Sequence, residues 1–162
     1  DYWIWKAISV VQPVIVIVEY NSVLGGEKSL TVPYRQDFNR AKAHFSHLYF
    51  GASLPALIDL GREKGYTFVG SNSAGNNAYF IKDRAMNDTL APFVATAKWV
   101  ESRFRESRNE QGVLTYLGGL ERGALINGLE VLNVKTGKLE RLLTSPGGTL
   151  DGPESERVKR QS

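Results

Sequence analysis

The stretch Val14-Ile15-Val16-Ile17-Val18-Glu19-Tyr20-Asn21 decides the reading of this chain. Five Val and Ile residues follow one another with no polar residue between them. Branching at Cβ stiffens these side chains and favours extended backbone. An unbroken run of this kind fits a strand covered on both faces, as in the middle of a parallel sheet. Glu19, Tyr20 and Asn21 then stand at the strand's carboxyl end, the edge where open α/β sheets bind ligands.

On the amino-terminal side, Tyr2 to Val10 places Trp3, Ala7 and Val10 on one helical stripe, with Ile4, Ile8 and Val11 beside it. Pro13 ends that helix. Helix, short break and buried strand is the rhythm of an α/β fold. On the other side, residues 22–52 are irregular, with Gly25-Gly26 and Pro33-Tyr34 as turn signals. A long irregular segment inside a domain is more often functional than idle. Ser53 reads as an N-cap with Pro55 in the first turn of a helix that stops at Gly65. Tyr66 to Val69 and Asn77 to Ile81 read as two strands of an antiparallel hairpin around Gly70–Gly75. Residues 88–98 read as a helix interrupted by Pro92. Leu129 to Val134 and Leu139 to Leu143 flank Lys135-Thr136-Gly137-Lys138, a second hairpin.

Composition bounds the function. The 162 residues suffice for one ordinary domain, and 42% hydrophobic with 23% charged residues is a globular balance. A net charge of +3 is too small an excess to point to nucleic acid, which calls for a clustered basic face. With no cysteine there is no disulfide framework, thiolate metal site or cysteine nucleophile. Two histidines do not make a three-histidine metal site, and no metal is expected. The longest apolar run, Val14 to Val18, is far short of the roughly 20 residues of a membrane span. The chain opens on Asp1 without a charged leader, so no signal peptide is read. A cytoplasmic fragment of a longer protein is the expectation, with 146–162 as a polar tail.

Six segments taken together carry a resemblance. They are Asp1-Tyr2-Trp3-Ile4-Trp5-Lys6-Ala7-Ile8, Pro13 to Asn21, Thr31-Val32-Pro33-Tyr34, Tyr49-Phe50-Gly51-Ala52-Ser53-Leu54, Lys64-Gly65-Tyr66 and Gly75-Asn76-Asn77-Ala78-Tyr79-Phe80-Ile81. In this order they resemble the C-terminal half of FkbM-like S-adenosylmethionine-dependent methyltransferases, over about residues 1–82. The resemblance implies a partial Rossmann-like methyltransferase sheet with a closing antiparallel hairpin, followed by an additional C-terminal β-hairpin. It implies a methyltransferase-like unit at 1–84 and a helical segment with hairpin at 85–145. It also implies S-adenosylmethionine as cofactor and a hydroxyl of a small molecule or glycan as acceptor. The chain departs from the family in two respects. No glycine-rich turn joins a strand to a helix near its start, so the main cofactor-binding loop is expected outside it. The acidic residue after the second strand that grips the ribose in that family is also not found here.

Candidate residues follow from position and chemistry. Glu19 at the strand end suits a carboxylate that orients a substrate hydroxyl or takes its proton; the alternative is a partner for a nearby Arg or a helix cap. Asn21 positions substrate or makes the turn. His44, three residues from His47, is a second candidate base, or else a loop histidine bonded to backbone. Tyr34 and Tyr49 offer a stacking surface for a sugar or planar substrate, or anchor their loop in the core. Arg103, Arg105 and Arg108 form either an anion clamp or a solvated face paired with Glu101 and Glu106. A second class of function stands beside the enzyme: a non-catalytic α/β module kept for binding or assembly.

Overall fold

The structure, a computed structural model, describes residues 1–144. In chain order it contains α1 (Tyr2–Ala7), β1 (Ile15–Glu19), β2 (Leu30–Thr31), α2 (Arg40–Ala43) and α3 (Leu54–Glu63). These are followed by β3 (Tyr66–Ser71), β4 (Asn77–Lys82), α4 (Ala91–Thr96), α5 (Gly119–Ile126), β5 (Glu130–Asn133) and β6 (Lys138–Arg141). The architecture is mixed α/β with two antiparallel three-stranded sheets, ordered β1-β4-β3 and β2-β5-β6. The expected tail at 146–162 lies outside the described residues.

The Val-Ile run is a strand, but its cover is one-sided. It pairs only with β4, antiparallel, with Ile15 opposite Ile81 and Glu19 opposite Asn77. Val16 and Val18 face the core opposite Phe80 and Ala78. Ile15 and Ile17, on the other face, are 57% and 60% exposed. A strand's side chains alternate between faces, so a run without polar residues leaves apolar groups in solvent wherever only one face is packed. Among the described residues nothing pairs with the outer edge of β1.

The first core gathers Trp5 of α1, Leu57 and Leu60 of α3, Tyr66 of β3 and Phe80 of β4. Gly61 permits this approach: a Cβ there would lie 2.9 Å from the Phe80 ring and 3.2 Å from Trp5. Helix α3 begins as expected, with the Ser53 hydroxyl accepting from the Ala56 amide, and the chain turns at Gly65 with φ +72°. The 66–82 hairpin forms as expected. The hairpin of β5 and β6 also forms, and it adds to β2 instead of standing apart. Beneath it Leu24, Leu30, Leu48, Ile126, Val131 and Leu142 make a second core.

Three helix readings change. α1 stops at Ala7 because Ile8 is already extended, and Val10 is 93% exposed. Pro92 sits in the first turn of α4, where its missing N–H costs nothing, so it starts that helix and does not interrupt it. α5 was not expected; its Gly118-Gly119 start carries no side-chain cap. Among the described residues no helix is long and apolar enough to cross a membrane.

Candidate functional site

Two regions have the shape of a site: the carboxyl end of β1 and the groove along its open edge. At the strand end, the exposed Glu19 carboxylate makes no hydrogen bond or salt bridge among the described residues, and the Asp1 amine is near enough to act on it. Tyr20 turns inward, and its hydroxyl donates to the Val100 carbonyl at 2.6 Å. Burial pushes this phenol's pKa up.

Asn21 is 3% exposed and acts as a clamp. Its amide nitrogen donates to the carbonyls of Leu48 and Phe50 at 2.8 and 2.9 Å, and its side-chain oxygen accepts from the Val23 amide. The Asn21 backbone N–H donates to Ala52. Every polar atom of this side chain is therefore occupied by backbone, and the 48–52 segment is held against the end of β1.

His44 belongs to the same assembly. It follows α2 in extended conformation, so it and His47 do not share a helix face. The Ser46 backbone N–H donates to Nδ1 at 3.3 Å, and the Ser46 hydroxyl lies 2.7 Å from that nitrogen. The Leu48 amide donates to the same hydroxyl oxygen. A chain of contacts thus runs from His44 through Ser46 and Leu48 to Asn21. With Nδ1 accepting, the ring proton sits on Nε2, which presents a donor instead of a base. Burial lowers the His44 pKa, favouring this neutral form.

The two tyrosines lie apart from each other. Tyr49 donates its hydroxyl to the Glu130 carbonyl at the start of β5, and burial raises its pKa. Tyr34 is 63% exposed and meets Trp3 edge-on, ring centres 5.7 Å apart. The structure therefore unites Asn21 and His44, uses Tyr49 to dock the second sheet, and leaves Glu19 and Tyr34 at the surface.

Sequence reasoning missed a strap across the strand end. The Ser102 amide donates to the Ser22 hydroxyl at 3.0 Å, and the Arg103 amide to the Ala74 carbonyl at 2.9 Å. Trp99 covers Gly26, where a Cβ would fall 2.9 Å from the indole. These contacts bear on a nucleotide-type cofactor. Of the two glycines after β1, Gly26 lies under the Trp99 indole and Gly25 is open, and they lead to β2 and not to a helix, so this turn does not make a strand-to-helix cradle for S-adenosylmethionine. Among the described residues no group of three or more His, Asp or Glu side chains is placed to hold a metal.

The groove of about 680 Å³ runs between α1 and the edge of β1. Its walls are mixed, with Ile4, Trp5, Ile15 and Ile17 beside Asp1, Gln12, Glu63, Lys64 and Lys82. The Lys82 amine donates to the Lys64 carbonyl and lies over the Tyr66 ring.

Comparison with protein-family models, curated proteins and solved structures finds no match to the chain.

Proposed function

We propose that this chain forms the closing side of an FkbM-like methyltransferase sheet whose reaction is methyl transfer from S-adenosylmethionine to a hydroxyl of a small molecule or glycan. One observation carries the reading: β1 and β3 run in the same direction with β4 antiparallel between them, and α3 lies on the connection from β1 to β3. That order suits a partial Rossmann-like sheet closed by a hairpin, and it agrees with the resemblance of residues 1–82. The unpaired edge of β1 is where the rest of such a sheet would add. The described residues do not fit the cofactor, so no step is assigned through it to this chain. The role assigned here is on the acceptor side, where the free carboxylate of Glu19 takes a proton from the acceptor hydroxyl. A cytoplasmic location goes with this reading.

A non-catalytic binding or assembly module is the second reading. It is favoured by the strap, which crosses the strand end where an acceptor would enter, and by the full occupation of the Asn21 side chain.

The deciding experiment is calorimetric titration of the protein, in its full natural reading frame, with S-adenosylmethionine, followed by transfer of labelled methyl to hydroxyl acceptors. The enzyme reading expects saturable binding and a Glu19→Gln variant about 100-fold slower in transfer, as for loss of a general base. Absence of binding, or full activity in that variant with binding intact, sinks the assignment; absence of binding leaves the module.

A further inference from the structure

Arg122 stands on the inward face of α5, one turn before the fully buried Ile126. Residues four apart share a helix face, so the fold carries a guanidinium into its interior. Such a charge is costly to bury unless it is paired and hydrogen-bonded. Arg122 is only 7% exposed, yet its Nε has no hydrogen-bond partner among the described residues. It also makes no salt bridge among them.

The neighbouring charges do not answer it. Glu101 and Glu106 are near enough to act on Arg122, and so is a like charge, Arg40. Glu106 is already shared: Arg40 approaches one carboxylate oxygen at 3.8 Å and Arg108 the other at 3.9 Å. Both contacts are longer than a charge-assisted hydrogen bond. Arg40 is otherwise held by the His47 carbonyl and by the Phe50 ring, 4.2 Å from its guanidinium carbon. Arg108 is fixed by the Gly112 carbonyl at 2.8 Å, and its own Nε is also buried without a partner. Three guanidiniums thus gather around Glu106, with Glu101 also near Arg122, and two of the three carry a buried Nε–H without a partner among the described residues. Burial, and then Arg40, lowers the Arg122 pKa, the sign of a cation short of counter-charge.

We propose that Arg122, Arg40 and Arg108 form a binding site for a phosphate-class oxyanion. Planar guanidinium forks match tetrahedral oxyanions bidentately, which a lysine point charge does not. The anion supplies the acceptors that Arg122 and Arg108 lack and offsets the excess positive charge. The site does not depend on the methyltransferase reading.

The test is titration of the full chain with inorganic phosphate at constant ionic strength, followed by NMR of the arginine Nε–H resonances, with chloride as control. A parallel arm uses a sugar phosphate. Saturable shifts at Arg122 and Arg108 are expected, with phosphate also raising the melting temperature. Arg122→Lys should weaken binding about tenfold, because the fork is lost while the charge is kept. Arg122→Leu should abolish binding and the thermal effect while the chain stays folded. Tighter binding of the ester identifies a phosphorylated ligand, whereas equal binding identifies phosphate itself, and both support the site. Shifts that chloride reproduces, shifts unchanged in folded Arg122→Leu, or no saturable shift in either arm overturn it.

Discussion

Tyr20 and Val100 lie eighty residues apart in sequence and are joined by one hydrogen bond of 2.6 Å from phenol to carbonyl. The contact ties the 99–103 strap to the end of β1. Tyr20→Phe keeps the buried ring and removes only the donor. It should cost about 1 kcal/mol, the net value of one such bond. Hydrogen exchange at Ser102 and Arg103, whose amides bond to Ser22 and Ala74, reads the strap directly. Their protection should fall more than that of β4. Equal loss in both places would mean global destabilisation and no separate strap.

The same strap sets a steric limit at Gly75. This residue has φ +71°, and a Cβ on it would lie 2.2 Å from the Glu101 carbonyl oxygen. Gly112 has a similar φ of +78° with open space around it. Alanine at Gly112 should cost only the left-handed backbone penalty, about 1–2 kcal/mol. Alanine at Gly75 should cost roughly 2–4 kcal/mol, since the strap must also move. Urea unfolding of the two variants measures the difference; equal costs would remove the close approach from the account.

These contacts also show where the sequence was legible. The hairpin of β3 and β4 and the capped start of α3 were readable because turn glycines, Ser53 and Pro55 act within a few residues of themselves. The Val-Ile run announced a strand, but not that Ile15 and Ile17 face outward. That depends on which elements pack over β1, which no local period encodes. The strap was invisible because its bonds come from the backbone of Val100, Ser102 and Arg103, and the charge pattern of Arg103 with its neighbours says nothing of where that backbone lies. Asn21 was singled out for its position at the strand end. Its clamp on Leu48 and Phe50 required knowing where residues 48–52 return. Arg122 was missed because α5 starts at two glycines without a cap, so no helix face was drawn on which to find it.

His44 gives a pH dependence with a definite sign. Burial holds its folded-state pKa below the ordinary 6.5, so the unfolded chain binds the proton more readily. Stability from this site is present above about pH 6.5 and declines as pH falls through the lower folded-state pKa. Protonation also places a proton on Nδ1, opposite the Ser46 N–H that donates to it. The unfolding free energy, measured by urea titration from pH 7.5 to 5, should fall more steeply in the wild type than in His44→Gln. Identical slopes would show that the ring is not buried in its neutral form.

The open edge of β1 predicts association of residues 1–162 taken alone, where among the described residues no further part of a sheet covers it. Natural edge strands are protected by Pro, Lys, bulges or a covering element. Residues 15–18 of β1 are apolar throughout, and its outer edge is unpaired among the described residues. The strand's polarity favours a two-fold partner. Glu19 stands at one end, while Lys82, whose amide bonds to the Val14 carbonyl, stands at the other. Antiparallel pairing of β1 with β1 of a second copy brings each acidic end toward the other's basic end and continues the sheet to six strands. Light scattering should therefore give a mass that rises from monomer to dimer with concentration. Ile17→Lys places a charge at a 60%-exposed position, where substitution changes folding stability by only about 0.5 kcal/mol. It should hold the chain monomeric with its urea midpoint nearly unchanged. Added salt should weaken the wild-type dimer by screening the end-to-end charges, but not dissolve it, because the strand pairing itself is uncharged. A wild-type chain that stays monomeric at millimolar concentration would show that the edge is protected by something other than a second copy.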